Sequence, residues 1–321
     1  MKPPRRPPPD RSGGPRPATP RPATPRPAPP RPRHHEPRAQ ETRTLEARPA
    51  RIQAEPPAPE RPRPQPDRRP PPRERPSGPR EAPGNSLWIY GLHAVAAALG
   101  NPARHLRRLL LTEEAEASVA TRLPRPWALA VERTERARLD HLLGAGAIHQ
   151  GAALLVDPLA PPSLQSAVAR PGPILVLDQV SDPRNVGAIL RAAAAFGVAA
   201  VITQDRNAPE ETGALAKAAS GALETVPFLR AVNIARTLVA LRAAGFWVVG
   251  LDAAGAPLSG TALAQRRVAL VLGSEGEGLR RLTRDTCDEV AAIGMPGATA
   301  LLDSLNVSAA AAVALYELAR R

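Results

Sequence analysis

Three short segments, all within the last roughly 150 residues, carry the side chains best suited to chemistry. The first is Leu177-Asp178-Gln179-Val180-Ser181-Asp182-Pro183-Arg184-Asn185-Val186-Gly187-Ala188-Ile189-Leu190-Arg191. It reads as a strand end, a polar loop and a helix opening, with Asp182-Pro183 as a helix-start pair. Asn185 and Arg191 lie six residues apart, about 600° of helical turn, so on one helix they do not share a face. Both reach one cleft if Asn185 lies in the loop. The second segment is Leu272-Gly273-Ser274-Glu275-Gly276-Glu277-Gly278, a glycine-rich turn after an apolar run. Such turns let a ligand approach the backbone, and Glu275 at the strand end can accept hydrogen bonds from a loop or a ligand. The spacing matches neither the dinucleotide fingerprint nor the P-loop. The third is Asp303-Ser304-Leu305-Asn306-Val307-Ser308-Ala309, where Ser304 or Asn306 can cap a helix and the free amides can hold a ligand. Taken singly, each has an ordinary structural reading: a capping Asp with a solvated Arg, a glycine turn, a helix cap. Together, in this order, each at a strand end or a helix start, they read as one ligand site.

The elements that must position these segments alternate. Apolar runs at Ile174–Leu177, Ala199–Thr203, Thr225–Leu229, Phe246–Leu251, Val268–Leu272 and Val290–Ile293 are strand candidates. Helical patterns lie between them at Val186–Phe196, Glu211–Ser220, Ile234–Ala244 and Leu279–Leu282, and an Ala-rich helix closes the chain from about Val307 to Leu318. This predicts a mostly parallel sheet covered on both faces. A smaller α/β unit precedes it, with strands at Trp88–Tyr90, Leu106–Leu111, Ala128–Val131 and Ala152–Val156 and helices at His93–Leu99, Glu113–Thr121 and Glu135–Leu143. Proline clusters at Pro158–Pro162 and Pro171–Pro173 mark a linker between the two. The expected division is a tail over 1–86, a small domain over 87–157, a linker over 158–172 and a larger domain over 173–321.

Composition separates the tail from the rest. Residues 1–86 hold 28 of the chain's 41 prolines and 20 Lys+Arg against 9 Asp+Glu, whereas the remaining residues are nearly balanced at 23 against 21. With so little apolar surface to bury, the tail is expected to be disordered and, at most, to load RNA through non-specific phosphate contacts. The single cysteine, Cys287, excludes an intramolecular disulfide and a multi-cysteine zinc site and reads as an inert thiol. His93, His141 and His149 lack metal-like spacing and read as structural or exposed, so no metal is expected. The chain has neither a signal-peptide core nor an apolar run long enough to span a membrane, which fits a cytoplasmic protein. Arg104, Arg107 and Arg108 are candidate phosphate contacts in the small unit.

The three segments are similar to the motifs of the SpoU/TrmH family of the SPOUT class of methyltransferases. The match runs through Asp182-Pro183-x-Asn185-x-Gly187-Ala188 with Arg191, then Gly273-x-Glu275-Gly276-Glu277-Gly278, then Ser304-Leu305-Asn306-Val307-Ser308. The run Ile89-Tyr90-Gly91-Leu92-His93-Ala94-Val95 resembles the opening of that family's small RNA-binding domain. The resemblance implies a C-terminal domain tied in a deep trefoil knot, a homodimer, and S-adenosyl-L-methionine held by Gly273, Ile293 and Leu305. It also implies transfer of a methyl group to a ribose 2′-OH. Arg191 would activate the hydroxyl, Glu275 would position Arg191 or the loops, Asn306 would orient the hydroxyl, and Asn185 and Ser304 would complete the site. An always-protonated guanidinium suits lowering the hydroxyl's pKa and binding the neighbouring phosphate better than acting as a base. Two departures precede the third motif: Ala298–Asp303 is longer than usual by about three residues, and Gly294 stands where a proline is common. The layout, with the run Pro209–Ala222, is most like the branch acting on guanosine in large-subunit 23S rRNA. A tRNA guanosine methyltransferase and a non-catalytic RNA-binding assembly factor are the alternatives.

Overall fold

The computed structural model describes residues 85–144, 146–206, 208–297 and 304–320. The expectations for the tail, up to residue 84, and for the lengthened loop Ala298–Asp303 lie outside these residues.

The small unit is built on β1 (Leu87–Tyr90), β2 (Leu106–Leu111), β3 (Val131–Arg133) and β4 (Ala152–Val156), in the order β1-β4-β2-β3. β4 is antiparallel to both neighbours, while β2 and β3 run parallel. Every residue of β4 is buried, as its unbroken apolar sequence requires of a strand covered on both faces. On one side Ile89, Leu109, Leu111, Leu154 and Val156 pack with α1 (Leu92–Gly100) and α2 (Glu113–Arg122). On the other, Trp88, Leu110 and Leu155 meet Leu139 and Leu143 of α3 (Arg136–Leu143). β3 starts at Val131 rather than Ala128. The indole of Trp127 donates to the Leu123 carbonyl at 2.8 Å, and strand pairing opens only at Leu109↔Val131.

The proline-marked connection is not featureless. It contains α4 (Leu164–Val168), which Ser163 caps by accepting from the Ser166 amide, and Ala167 is fully buried.

The large sheet has six parallel strands in the order β10-β8-β9-β5-β6-β7: β5 (Ile174–Leu177), β6 (Ala200–Gln204), β7 (Phe228–Ala231), β8 (Phe246–Pro257), β9 (Arg267–Leu272) and β10 (Glu289–Ala292). Side chains alternate across it. Leu175 and Leu177 join the core formed with α5 (Pro183–Ala195), α6 (Gly213–Ala219) and α9 (Val307–Ala319). Ile174 and Val176 join the core formed with α4 and α7 (Ile234–Ala243).

Several boundaries differ from expectation for local reasons. β7 begins three residues late because Ala222–Glu224 form a 3-10 turn, whose Ala222 carbonyl receives the amides of Thr225 and Val226. β8 runs on to Pro257 because β10 pairs with it twice across a register shift, first at Val249–Gly250 and then at Ala256–Pro257. The short helix expected at Leu279–Leu282 is α8 (Arg281–Thr286), and Leu279 is instead buried ahead of it. Thr212 caps α6, leaving Glu211 outside that helix. α5 begins at Pro183, with the Asp182 carboxylate accepting from the Arg184 amide at 2.8 Å.

Candidate active site

Strand register brings the first two segments together. β5 and β9 are parallel neighbours whose last paired residues are Leu177 and Leu272, and the Asp178 amide extends the ladder to the Leu272 carbonyl at 2.8 Å. The polar turn after β5 and the glycine turn after β9 therefore leave the same sheet edge side by side. Within the glycine turn, Ser274 and Gly278 exchange two backbone hydrogen bonds of 3.1 Å. Gly273 has no room for a side chain, because a Cβ there would lie 2.1 Å from the Gly278 carbonyl carbon. Gly276 turns the loop with φ +92°, a conformation that L side chains rarely adopt.

Glu275 joins all three segments. Its Oε1 accepts from Asn185 Nδ2 at 3.0 Å, Asn306 Nδ2 at 2.7 Å and the Val307 amide at 3.3 Å. Asn306 Nδ2 also donates to Asn185 Oδ1 at 3.1 Å. Asn306 Oδ1 accepts from the amide and hydroxyl of Ser308, which caps α9. Helix capping and site assembly are thus one arrangement at Asn306. Asn185 takes part from the first turn of α5, not from the loop.

Next to this network lies a cavity of about 680 Å³ lined by Gly273, Glu275, Ile293, Ser304, Leu305 and Asn306. All three residues expected to hold the cofactor face this one space. Leu251, Leu272 and Val307 add apolar wall, and Asp252 and Glu277 add carboxylates. Apolar walls for a purine ring, bare backbone at Gly273 and acidic groups for a cationic ligand form a donor set that fits S-adenosylmethionine.

Arg191 stands apart from the cofactor cavity. It is exposed on α5, does not line that cavity, and among the described residues has no hydrogen-bond or ion-pair partner. Of the two roles expected of Glu275, its bonds to Asn185, Asn306 and Val307 serve the loops and not Arg191. Arg191 belongs instead to a group of basic side chains drawn from both sheets' helices. Burial, then the charges of Arg122, Lys217 and Arg191, hold the His93 imidazole below its ordinary pKa. Burial also lowers Lys217, whose ammonium donates to Gln150 Oε1. His93 and Lys217, which belong to this basic group, lie outside all three motifs. A signal was present: Lys217 is one of only two lysines among 43 basic residues.

The three arginines read as phosphate contacts are all paired. Arg104 is 4 % exposed and is held by Glu211 at 2.5 Å, Glu224 at 2.6 Å and 3.1 Å, and the Asp157 carbonyl at 3.0 Å. It fastens the small sheet to the large domain. Arg107 forms a two-pronged pair with Asp157 and Arg108 another with Glu132, the geometry in which guanidinium and carboxylate bind best. Cys287 is half-buried, and burial, then Asp288 and Asp178, push its thiol pKa up to about 11. No cluster of His, Cys, Asp and Glu able to hold a metal occurs among the described residues, and none of their helices is long and apolar enough to cross a membrane.

A parallel α/β domain with a ligand cavity at its strand ends, carrying a small α/β unit ahead of it, is the two-part layout that the motif resemblance implies for an RNA methyltransferase. The SpoU rRNA Methylase family model matches residues 172–316, and the model for RNA 2′-O ribose methyltransferase substrate binding matches residues 88–162. The chain belongs to the SpoU rRNA methylase family. It is 41 % identical over 248 residues to the 23S rRNA (guanosine-2′-O-)-methyltransferase RlmB of Vibrio cholerae, covering 73 % of this chain and 96 % of the relative. Its identity to the Escherichia coli K12 protein of the same name is 36 % over 244 residues, 73 % and 98 % of the two chains. Among solved structures, a TrmH-family RNA methyltransferase of Porphyromonas gingivalis superimposes with a TM-score of 0.59 at 26 % identity, over 74 % of this chain and 90 % of that one. The SpoU methyltransferase AviRb of Streptomyces viridochromogenes, solved with AdoMet, shares the fold with a TM-score of 0.60 at 23 % identity, over 74 % and 90 %.

Proposed function

We propose that this chain transfers a methyl group from S-adenosylmethionine to the 2′-OH of a guanosine in 23S rRNA. The observation that carries the reading is the Glu275 carboxylate joining Asn185 and Asn306 beside the cavity of Gly273, Ile293 and Leu305. The family relationship and the relatives' names supply the substrate class.

Gly273, Ile293 and Leu305 hold the cofactor, with Ser304 at the cavity wall. The sulfonium supplies a methyl group already activated for transfer, so the protein's task is alignment and proton removal. Asn306 is fixed by Glu275 and Asn185 and orients the ribose hydroxyl. The Arg191 guanidinium pairs with the phosphate beside the target ribose and stabilises the oxygen as its proton passes to solvent water and the methyl group takes its place. Lys217 and Arg122 raise the positive potential around it, which favours the same phosphate.

The reading extends to the remaining expectations. The proposed division is a tail over 1–86, an RNA-binding domain over 87–157, a linker over 158–172 and a catalytic domain over 173–321, and a sheet within each of the two domains supports it. A trefoil knot in the catalytic domain is supported by the return of the chain after edge strand β10: α9 packs on α5, and Glu317 approaches Gly260 in the β8–β9 connection. A homodimer in the cytoplasm completes the proposal.

The test is transfer of labelled methyl from S-adenosylmethionine to isolated 23S rRNA and, separately, to total tRNA. Label at one guanosine ribose of 23S rRNA is the expected result. Label in tRNA alone moves the assignment to the tRNA branch. Absence of cofactor binding by calorimetry leaves a non-catalytic RNA-binding factor.

A further inference from the structure

At the same sheet edge, beyond the turn after β5, the ends of β6 and β7 border a second hollow of about 300 Å³. It shares no lining residue with the cofactor cavity. Gln204, the last residue of β6, lines it while only 7 % exposed, and its carboxamide has no hydrogen-bond partner among the described residues. A carboxamide with no protein partner that opens onto a hollow keeps its donor and acceptor available to a ligand there. Gln179 lines the same space with a second carboxamide. Arg206 and Arg280 bring two guanidiniums; Arg206 is exposed and without an ion pair among the described residues, and Arg280 reaches the buried Asp178 at 2.5 Å. Val232 and Leu282 stand at the rim, 90 % and 65 % exposed.

This combination has the chemistry of a nucleotide site. A carboxamide presents a donor and an acceptor side by side, as a base edge requires. Guanidinium planes stack on unpaired bases and bind phosphate, and an exposed apolar rim suits the face of a base. The volume is at the small end for a ligand pocket, which suits one base rather than a larger molecule. Gln179 lies in the polar loop three residues ahead of Asp182, where the first motif starts, and Arg280 follows the glycine turn by two residues, so the hollow adjoins the methylation site along the sheet edge. We propose that this hollow is a subsite for one unpaired nucleotide flanking the methylated one, read by Gln204 and Gln179 and held through Arg206. The proposal rests on the RNA methyltransferase reading and names how part of its substrate is bound.

The experiment pairs binding with turnover. A fluorescent single-stranded RNA oligonucleotide is titrated by anisotropy against the wild-type protein, Arg206→Glu and Gln204→Leu, with melting temperature confirming that each variant folds. Steady-state methylation of a 23S rRNA fragment is measured in parallel. Arg206→Glu is expected to weaken single-strand binding about tenfold and to flatten the salt slope by about one phosphate equivalent. Both variants should raise KM for RNA while kcat and cofactor affinity stay within about twofold, the pattern of lost uniform binding. Because Arg206 is exposed, its variant remains informative even if Gln204→Leu fails to fold. Unchanged binding and KM in Arg206→Glu overturns the subsite, as does equally tight binding of a duplex. Failure of the wild-type protein to methylate the fragment counts against the functional reading, and the anisotropy series still decides the subsite.

Discussion

Two side chains divide the work at the proposed site. Glu275 is an organiser: one carboxylate oxygen accepts three donors from the other two motifs. Hydrogen bonds to a charged acceptor contribute about 1.5–3 kcal/mol each. Glu275→Ala is therefore expected to lower kcat/KM by at least about tenfold and to weaken cofactor binding, while Glu275→Gln, which keeps an acceptor oxygen, recovers part of both. Arg191 is free of such duties. Arg191→Ala should abolish methyl transfer while calorimetric affinity for S-adenosylmethionine stays within about twofold. Wild-type turnover by that variant would remove Arg191 from the mechanism. His93 reports on the charge around Arg191. Its imidazole should titrate below the ordinary 6.5 by NMR, and Lys217→Gln, which removes one repelling cation, should move the midpoint upward. The sign follows from the neutral form being the one favoured in the fold.

At the scale of elements, the site depends on two parallel strands ending in register. β5 and β9 stop together at Leu177 and Leu272, and each releases its motif there. Gly273 cannot take a side chain in this turn, since any Cβ collides with backbone and not with a side chain that can rotate away. Gly273→Ala should abolish calorimetric binding of the cofactor, and hydrogen exchange should show the loss of protection confined to the turn from Gly273 to Gly278. Much of this level was legible beforehand. All six strands of the large sheet announce themselves as apolar runs, and the third motif's asparagine caps the last helix as its type suggests. What was hidden had partners far away in the chain. β8 continues through Asp252, Ala253, Ala254 and Gly255, a stretch with no strand signature, because β10 provides an edge for it. Asn185 looked like a loop residue because an Asp-Pro pair three residues ahead marks a helix start to within a few positions only.

For the whole molecule, the telling residue is Arg104. Its partners Glu211 and Glu224 lie 107 and 120 residues further along, so no local pattern could reveal the pairing, and in isolation it reads as one more basic residue of an RNA-binding domain. The Arg104 side chain is fully buried, and Glu224 is 4 % exposed. Removing one member of a buried pair costs about 3–5 kcal/mol because the other is left charged and uncompensated. Arg104→Ala should lower the unfolding free energy by about that amount in urea titrations, and Arg104→Met by a similar amount, since the loss comes from stranded carboxylates more than from a void. The small sheet shares its main core with the large domain, so the ion triad sits at the border of a continuous apolar body and not at a loose joint.

That triad also sets how this protein can be recombined. A small domain grafted from a relative brings its own residue at the place of Arg104, and unless that residue is a cation of the same reach, Glu211 and Glu224 are sealed in without a counter-charge. The two halves of this enzyme therefore combine only as a matched set, and a chimera that crosses over within the linker should fold well only when the incoming small domain itself carries an arginine at that place.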